Sequence, residues 1–440
     1  MGSTQEVIVR FLRNLGSRKE VEQYLKLFSS VDARRFAVIR VEGAVLQDDL
    51  ETLASALTFI QRVGLTPVVI HGAGPQLSHQ LRDAGIDPER VDGVRVTTPQ
   101  ALEIARKVFI RENLRLVEAL ESVGTRARPV TSGIFEARLV DKKRFGLVGD
   151  VTQVHTEAID SALRSGHMPI IASLGETPAG QILHVNSDVG AAALARALEP
   201  FKVVFLTHTG GLLDQDQQII SAVNIEEDYA DMLAEPWLDS DTRTRLQAIK
   251  ELLDGLPRSS SVSITSPENL VRELFTHKGA GTLVRRGEHI RLHESMEKID
   301  RNRLAELLEQ AFGRKLTVDY FTRKDFYRVY LSDSYRATAI LTLEDGIPYL
   351  DKFAVTSEAQ GEGIASSLWH CITRDNKQLF WRSRLDNEIN GWYFQKSDGS
   401  FRTDKWVVFW YGIHNFDTIR RCVELAKAMP PTLKQHSIGS

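Results

Sequence analysis

The chain has 440 residues, of which 42% are hydrophobic and 26% charged, and its formal net charge is −3. This length exceeds one ordinary domain, and the near-neutral charge argues against nucleic-acid binding. No apolar run reaches the roughly 18 residues that a membrane helix needs, and the N-terminus lacks a signal-peptide core. Cys371 and Cys422 form no metal-ligand spacing. We therefore predict a cytoplasmic protein of two or three domains, without a metal site, a membrane span or a nucleic-acid partner.

The N-terminal part of the chain alternates helices with short apolar strands. One or two amphipathic helices are predicted within residues 1–35. Alternation of strand and helix is typical of a parallel sheet with helices on both faces, so residues 36–285 are predicted to form an α/β domain. The predicted helices are 48–63 and 187–198, and the predicted strands are 36–41, 67–70, 170–172 and 203–206.

The pattern changes at a charged stretch, 285–288, where we expect a domain boundary. Residues 286–440 are predicted to form an α+β domain rich in antiparallel strands. Its predicted helix is 299–312, and its predicted strands are 326–331, 336–343, 349–355, 378–382 and 406–411.

A Gly-rich turn, 360–365, follows the strand at 349–355 and opens a helix. Backbone N–H groups at a helix N-terminus, left accessible by small residues, form a cradle for a pyrophosphate. On spacing alone, a tight turn without a ligand is the alternative interpretation. The turn matches the Gln/Arg-x-x-Gly-x-Gly/Ala signature and therefore resembles the GCN5-related N-acetyltransferases. The resemblance implies that acetyl-CoA is bound by Gln360, Gly361, Gly363 and Ala365.

The segment that begins at Gln378 reads QLFWRSRLDNEINGWYFQKSDGS, and residues 350–353 read LDKF. Together they resemble the vertebrate-like branch of the N-acetylglutamate synthases. Taken alone, each Arg here could be a surface charge, and Lys352 could simply cap a strand. A dicarboxylic amino acid needs cationic partners, however, and Arg offers a planar fork for a carboxylate. The resemblance implies that L-glutamate is held by Lys352, Arg382, Arg384 and Asn387.

Tyr393 matches the catalytic tyrosine of the same family. Acetyl transfer to an amine expels CoA as a thiolate, to which a phenol can donate a proton. The family pattern also implies that backbone N–H groups near Phe353 and Val355 polarise the thioester carbonyl. The alternative for Tyr393 is an aromatic core residue. The base that deprotonates glutamate stays open between a water chain and a side chain.

Residues 36–284 resemble the acetylglutamate kinases, with matches at 71–75, 94–97, 186–188, 250 and 273–282. Phosphoryl transfer depends mostly on positioning and positive charge, in keeping with these residue types. The resemblance implies that phosphates contact the backbone of Gly72 and Gly74, and that Asp188 organises the site. It also implies that Arg95 and Asn186 bind acetylglutamate, and that Lys250 and Arg40 face the transferring phosphoryl group.

Three positions depart from the kinase pattern. Arg40 stands where the family has a lysine, Glu42 stands in its Gly-Gly turn, and His184 replaces an Asn. Two like charges about 4 Å apart repel by about 4 kcal/mol at an effective dielectric of about 20, so Glu42 opposes ATP binding unless a cation or Mg²⁺ offsets it. Use of MgATP by this domain is therefore left open.

Another set of residues resembles the arginine site of arginine-inhibited acetylglutamate kinases. It comprises the N-terminal helix, Lys202, Glu273 and Gly279. Taken alone, Lys202 and Glu273 would be solvated surface charges. The resemblance implies L-arginine as an allosteric effector, without deciding its sign, and a homo-oligomer with a tetramer as the expected size.

These patterns predict an N-acetylglutamate synthase of the bifunctional type, acting on acetyl-CoA and L-glutamate in arginine biosynthesis. Phosphorylation of N-acetyl-L-glutamate would be its second activity. The alternatives are an acetylglutamate kinase with a structural acetyltransferase domain, or a non-catalytic arginine sensor. Tyr393 and the cation set argue against both alternatives, and Arg40 with Glu42 argues against the first.

Overall fold

The computed structural model describes residues 36–434, except 92, 239, 258–259, 276–279, 324, 357–358, 360–363 and 388. Within these residues the chain forms two compact units, 36–225 with 229–286, and 226–228 with 287–434. The predicted boundary at 285 differs from this division by one residue and by the short segment 226–228. The predicted N-terminal helices lie outside the described residues, as do Gln360, Gly361, Gly363 and Gly279.

The first unit is built on an eight-stranded sheet with the order β12-β14-β13-β11-β1-β2-β8-β5. Its neighbours pair in parallel except β13 and β14, so the predicted parallel α/β domain is confirmed. The strands of the sheet are β1 Ala37–Val41, β2 Val68–His71, β5 Ala127–Val130, β8 Met168–Ala172, β11 Lys202–Leu206, β12 Ala222–Asn224, β13 Ser261–Thr265 and β14 Thr282–Arg285.

Helices cover both faces of this sheet. Within β1, Ile39 packs into one apolar core and the preceding residue, Val38, into another on the opposite face. Both faces of the sheet are covered by apolar side chains, which explains why the strands are continuous apolar runs. The helices are α1 Gly43–Asp48, α2 Leu50–Arg62, α3 Gly74–Asp83, α4 Pro99–Ser122, α5 Lys142–Phe145, α6 Glu157–Arg164, α7 Ser187–Leu198, α8 Ile225–Ala234, α9 Ser240–Asp254 and α10 Leu270–Phe275.

Two small β structures in this unit were not predicted. One is a two-stranded ladder of β3 Arg90–Val91 and β4 Val94–Arg95. The other is a closed barrel of β6 Phe135–Leu139, β7 Val148–Val154, β9 Leu174–Glu176 and β10 Ile182–Val185. A Cβ atom at Gly149 of the barrel would lie 2.9 Å from Leu183 Cβ, so the strands approach too closely for any side chain there. Such short strands leave no periodic pattern in the sequence.

The second unit is a seven-stranded sheet with the order β15-β16-β17-β18-β19-β21-β20. Its neighbouring strands pair antiparallel except β18 and β19, which confirms the predicted α+β domain rich in antiparallel strands. The strands are β15 Ile290–His293, β16 Phe326–Ser332, β17 Ala337–Glu344, β18 Ile347–Val355, β19 Leu379–Arg384, β20 Gly399–Arg402 and β21 Trp406–Tyr411. The helices are α11 Arg301–Phe312, α12 Tyr320–Arg323, α13 Ile364–Asp375, α14 Asn390–Lys396 and α15 Phe416–Ala428.

Two irregularities in β18 shape this sheet. Its ladder with β17 shifts register between Leu350 and Lys352, which is a β-bulge at Asp351. On the other side, among the described residues, β18 pairs with β19 at Tyr349 and Phe380 and no further along either strand. The two strands therefore part after one pair and leave a gap at their carboxyl ends.

No helix in the described part of the chain has both the length and the apolar character to cross a bilayer.

Candidate active sites

The gap between β18 and β19 exposes main-chain groups of β18. Thr356 N donates to Arg336 O of the neighbouring chain segment at 2.9 Å. Because hydrogen-bonded positions alternate along an antiparallel pair, the N–H and C=O groups of Phe353 and Val355 point away from β17. They are thus directed toward the gap, where the sequence predicted that they polarise a thioester carbonyl.

Tyr393 lies on α14 inside an aromatic cluster. Its ring centroid is 5.5 Å from those of Trp381 and Phe409 and 6.3 Å from that of Phe353. Burial raises the pKa of Tyr393 well above its usual value. The phenol is therefore protonated at neutral pH in the free protein. Ala365, at the start of α13, packs against the same cluster.

Lys352 is held in a buried polar network on the opposite face. Its ammonium donates to Asp351 Oδ2 at 2.8 Å, to Asp351 O at 3.2 Å and to Thr432 Oγ1 at 2.6 Å. Tyr320 OH donates to the same carboxylate at 2.7 Å, and the Lys352 ammonium lies 5.0 Å from the Tyr320 ring centroid. The bulge turns Asp351 and Lys352 to one side, so that both reach Tyr320.

Arg382 is engaged with the end of α15. Its Nη1 donates to Ala426 O at 2.6 Å and to Met429 O at 2.8 Å, and its Nη2 to Pro430 O at 3.1 Å. These are carbonyls at and beyond a helix C-terminus, where a cation is favoured. This placement differs from the role in glutamate binding that the sequence predicted, which stays a prediction.

Arg384 and Asn387 lie at the end of β19 and in the turn after it. Arg384 forms a two-pronged pair with Asp386, Nε to Oδ1 at 2.9 Å and Nη2 to Oδ2 at 3.1 Å, and its side chain is 44% exposed. Asn387 Nδ2 donates to Ser383 Oγ at 2.9 Å. Of the predicted glutamate-binding arginines, Arg384 is the one whose fork faces solvent.

The three predicted cations share one face of the sheet, and Tyr393 lies on the other. Trp381 belongs to the core that contains Tyr393, whereas its neighbour Phe380 belongs to the core beneath α15. Since side chains alternate along a strand, Arg382 and Arg384 project on the α15 side. Lys352 lies on this side as well, where its ammonium and the carboxylate of Asp351 contact Tyr320. The gap between β18 and β19 connects the two faces of the sheet.

In the first unit, the carboxyl ends of β1 and β2 bring two Gly-rich turns into contact. A Cβ atom at Gly43 would lie 2.8 Å from Gly74 N, so glycine is required at this approach. Each turn opens a helix, α1 or α3, whose N-terminus favours anions. Gly72 N donates to Val41 O at 2.9 Å, so this N–H is used within the fold, which differs from the predicted contact with phosphate.

Arg40 and Asp188 meet beside these turns. Arg40 Nε lies 2.7 Å from Asp188 Oδ1 and donates to Ser187 Oγ at 3.2 Å. Arg40 Nη1 is buried without a partner among the described residues. Asn186 caps α7 by accepting from Asp188 N at 2.7 Å. An unfilled guanidinium N–H beside two helix N-termini is suited to an anionic ligand.

Glu42 does not pair with Arg40. Its carboxylate lies 3.4 Å from the backbone N and from Nδ1 of His208. Lys250 lies on α9, where it pairs with Asp254 at 2.7 Å and lies 5.8 Å from the Tyr229 ring centroid. These contacts differ from the position facing a phosphoryl group, which stays a prediction for Lys250.

Arg95 is buried at the edge of the same site. Its Nη2 donates to Ser78 Oγ at 2.7 Å and to Gly74 O at 3.2 Å, while Nη1 is buried without a partner within the described part of the chain. Burial, aided by nearby guanidinium groups, lowers the pKa of Arg95 to about 10, so it stays charged at neutral pH. Burial, with Arg95 nearby, lowers the pKa of His184 to about 4, and its Nδ1 lies 3.0 Å from Thr97 Oγ1.

Lys202 and Glu273, predicted as parts of an arginine site, are brought together. Lys202 Nζ donates to Glu273 O at 3.1 Å, and Glu273 Oε2 accepts from Ala280 N at 2.9 Å. Burial lowers the pKa of Lys202 to about 8, against the opposing effect of the Glu273 carboxylate. Both side chains are buried rather than solvated.

Sequence reasoning missed three residues of the Lys352 network. Asp351 stands inside the LDKF motif and could have been found there, because a carboxylate beside a buried lysine is its natural partner. Tyr320 and Thr432 are 32 and 80 positions from Lys352, and no sequence pattern connects them to it. Their proximity is a property of the fold.

Comparison with known proteins agrees with this architecture. Residues 35–256 match the Amino acid kinase family, and residues 291–429 match the NAT family, described as the N-acetyltransferase of N-acetylglutamate synthase. An acetylglutamate kinase from Xanthomonas campestris pv. campestris is 50% identical over 424 residues, which are 95% of this chain and 100% of that protein. The mitochondrial N-acetylglutamate synthase of Homo sapiens is 35% identical over 97% of this chain and 79% of its own length.

A solved structure shares the fold. It is an N-acetylglutamate synthase from Neisseria gonorrhoeae in complex with coenzyme A and N-acetylglutamate, with a TM-score of 0.58 and 20% identity over 90% of this chain and 98% of that one. The chain therefore belongs to the amino acid kinase family, in the group whose members join such a domain to the N-acetyltransferase domain of N-acetylglutamate synthases.

Proposed function

We propose that this protein is an N-acetylglutamate synthase, which transfers the acetyl group of acetyl-CoA to the amine of L-glutamate in arginine biosynthesis. The observation that carries the proposal is the gap between β18 and β19. Main-chain N–H groups of Phe353 and Val355 point into this gap. A buried phenol lies on one face of the sheet and a set of cations on the other.

Chemistry at this gap follows from its groups. The glutamate amine, after losing a proton from its ammonium form, attacks the thioester carbonyl carbon. A C–N bond forms and the C–S bond breaks. The N–H groups of Phe353 and Val355 stabilise the oxyanion between these events, because donors fixed in place need no reorganisation. Tyr393 gives its proton to the departing CoA thiolate, and the nitrogen that has formed the amide bond loses its second proton. A proton returned through solvent restores the phenol, so the products are N-acetylglutamate, CoA and one released proton.

Glutamate recognition is assigned to the cationic face. Arg384 presents a fork that already binds a carboxylate, that of Asp386, in the geometry that a substrate carboxylate would take. Lys352 supplies a second, buried cationic group, which is paired with Asp351 in the free protein. Two cations on one face suit a dicarboxylic acceptor better than a monocarboxylic one.

Acetylglutamate kinase activity is the second candidate function. It is supported by the buried Nη1 groups of Arg40 and Arg95, which have no partner among the described residues and are suited to the phosphates of MgATP and the carboxylate of N-acetyl-L-glutamate. The 50% identical relative is itself named an acetylglutamate kinase. Regulation by L-arginine near Lys202 and Glu273 and a homo-tetramer are further proposals that rest on the family resemblance. A cytoplasmic location is proposed from the composition of the sequence alone.

Two assays on one purified preparation of the whole chain test both functions. The first supplies acetyl-CoA and L-glutamate, and the second supplies MgATP and N-acetyl-L-glutamate. Tyr393→Phe should suppress the first activity alone, and Arg40→Met should suppress the second alone. If wild-type protein releases CoA but forms no N-acetylglutamate, as judged by mass spectrometry, the synthase proposal is wrong.

A further inference from the structure

Two of the three predicted glutamate-binding cations are occupied by one part of the chain. Arg382 donates to the carbonyls of Ala426, Met429 and Pro430, and Lys352 donates to the hydroxyl of Thr432. We call residues 429–434 the strap. It follows α15 directly and lies against the cationic face of the sheet.

The strap is attached at several points. Thr317 N donates to Thr432 O at 3.1 Å, and Lys434 N donates to Lys315 O at 2.9 Å. These bonds form an antiparallel bridge between Leu316 and Leu433. Main-chain pairing on both sides of Leu433 therefore positions Thr432 beside Lys352.

The Lys352 ammonium, which has three N–H donors, donates to Asp351 Oδ2, to Asp351 O and to Thr432 Oγ1. A substrate carboxylate can take the place of one of these partners if that partner yields. The Asp351 carboxylate cannot yield easily, since both side chains of the pair are 4% exposed and separation would leave a buried carboxylate uncompensated. The second partner, the Asp351 carbonyl, is fixed by its strand. Thr432 supplies the third, a neutral hydroxyl, which an anionic oxygen outcompetes.

We propose that Thr432 is a residue of the acceptor site, and that its hydroxyl occupies in the free protein the position that a carboxylate oxygen of the acceptor takes in the complex. This inference rests on the proposed function. The strap is thus an internal competitor for the acceptor. It keeps the buried ammonium hydrogen-bonded while the site is empty, and glutamate must displace the hydroxyl to bind.

Thr432→Val tests the inference, because valine keeps the shape of threonine and removes the hydroxyl. Without its competitor, glutamate should bind more tightly, so the KM for glutamate should fall by about 10- to 150-fold, the value of one hydrogen bond to a charged group. The KM for acetyl-CoA should not change. Thr432→Ser, which restores the hydroxyl, should return the KM for glutamate toward that of the wild type.

The matched control is Thr418→Val, on α15, whose hydroxyl is bonded to Asn415 at the surface. It should leave both KM values unaltered. A purely structural role for Thr432 predicts the opposite sign, namely a KM for glutamate that is raised or unaltered in Thr432→Val, and either result overturns the inference. If Thr432→Val does not fold, Thr432→Ala removes the same hydroxyl and takes its place.

Calorimetric titration of L-glutamate into CoA-saturated protein separates this inference from the proposed function. Wild-type protein that acetylates glutamate, while Thr432→Val binds it no more tightly, contradicts the inference and leaves the synthase function intact. Wild-type protein that neither binds nor acetylates glutamate contradicts the proposed function, and the inference falls with it.

Discussion

Tyr393 and Arg382 lie on opposite faces of β19. Tyr393 packs on Trp381, with ring centroids 5.5 Å apart, whereas Arg382, the next residue of the strand, donates to carbonyls at the end of α15 and just beyond it. A proton donor on one face can serve an acceptor on the other because β18 and β19 part after the pair Tyr349 and Phe380. The reacting atoms would meet in that gap, so changes on the two faces should affect different kinetic constants.

Tyr393→Phe should lower kcat for acetylglutamate synthesis by about 10²–10⁴-fold, the usual contribution of a positioned acid. The apparent affinity for acetyl-CoA should hardly change, because the ring remains in its aromatic cluster. Steady-state kinetics, with quench-flow to check that chemistry limits the rate, measure this. Tyr411→Phe, in the same cluster, is the control. An unaltered kcat would mean that Tyr393 only packs in the core and does not donate a proton.

Arg384→Ala should raise the KM for glutamate by about 30-fold or more while leaving the KM for acetyl-CoA unaltered, since it removes a carboxylate partner. Asp386→Asn is the informative control, because it breaks the same surface pair and keeps the guanidinium. It should not raise the KM for glutamate. Equal increases in both variants would mean that Arg384 acts by holding the turn rather than by binding substrate.

Arg382→Ala should lower the free energy of unfolding by about 2–4 kcal/mol, because three carbonyl groups lose a charged donor at once. Urea denaturation of the whole protein measures the change. Arg402→Ala, on the exposed edge strand β20, is the control and should cost little. An Arg382→Ala variant of wild-type stability with a raised KM for glutamate would favour the predicted binding role over the structural one.

Glu42→Gly should tighten MgATP binding by about tenfold. The substitution removes a carboxylate at the carboxyl end of β1 that repels the ATP phosphates, whose negative charge Mg²⁺ offsets only in part. Adding Arg40→Lys should raise turnover of N-acetyl-L-glutamate further, through a compact ammonium in place of a fork. His208→Gln alters the neighbour of Glu42 and keeps its carboxylate, so it should not tighten binding. Wild-type turnover equal to that of the double variant would show that Glu42 does not oppose ATP.

His184→Asn should weaken the dependence of stability on acid pH. The folded-state pKa of His184 is about 4, below its ordinary 6.5. Its contribution to stability is therefore complete above about pH 6.5 and is lost as the pH falls toward 4, because the unfolded chain binds the proton more readily. Urea denaturation at several pH values in this window should show a shallower decline for the variant. Parallel declines would contradict the assigned pKa.

The sequence alone determined the elements that depend on local periodicity. The helix predicted at 187–198 and the strand predicted at 406–411 have the bounds found in the structure, since each carries its apolar pattern within a few turns or residues. The motif at 350–353 located β18, and the alternation of strands with helices predicted the parallel sheet. Short barrel strands escaped this reasoning because their partners, not their own patterns, define them.

The tertiary structure decided the partners of the charged groups. Arg382 meets carbonyls 44 to 48 positions away and Lys352 meets a hydroxyl 80 positions away, and a pattern read along the chain cannot reveal contacts at such separations. The bulge at Asp351 and the parting of β18 from β19 likewise depend on how neighbouring strands pair. Sequence thus identified which cations could bind a substrate. Folding decided which of them are already occupied, because a buried charge must find partners wherever the chain brings them.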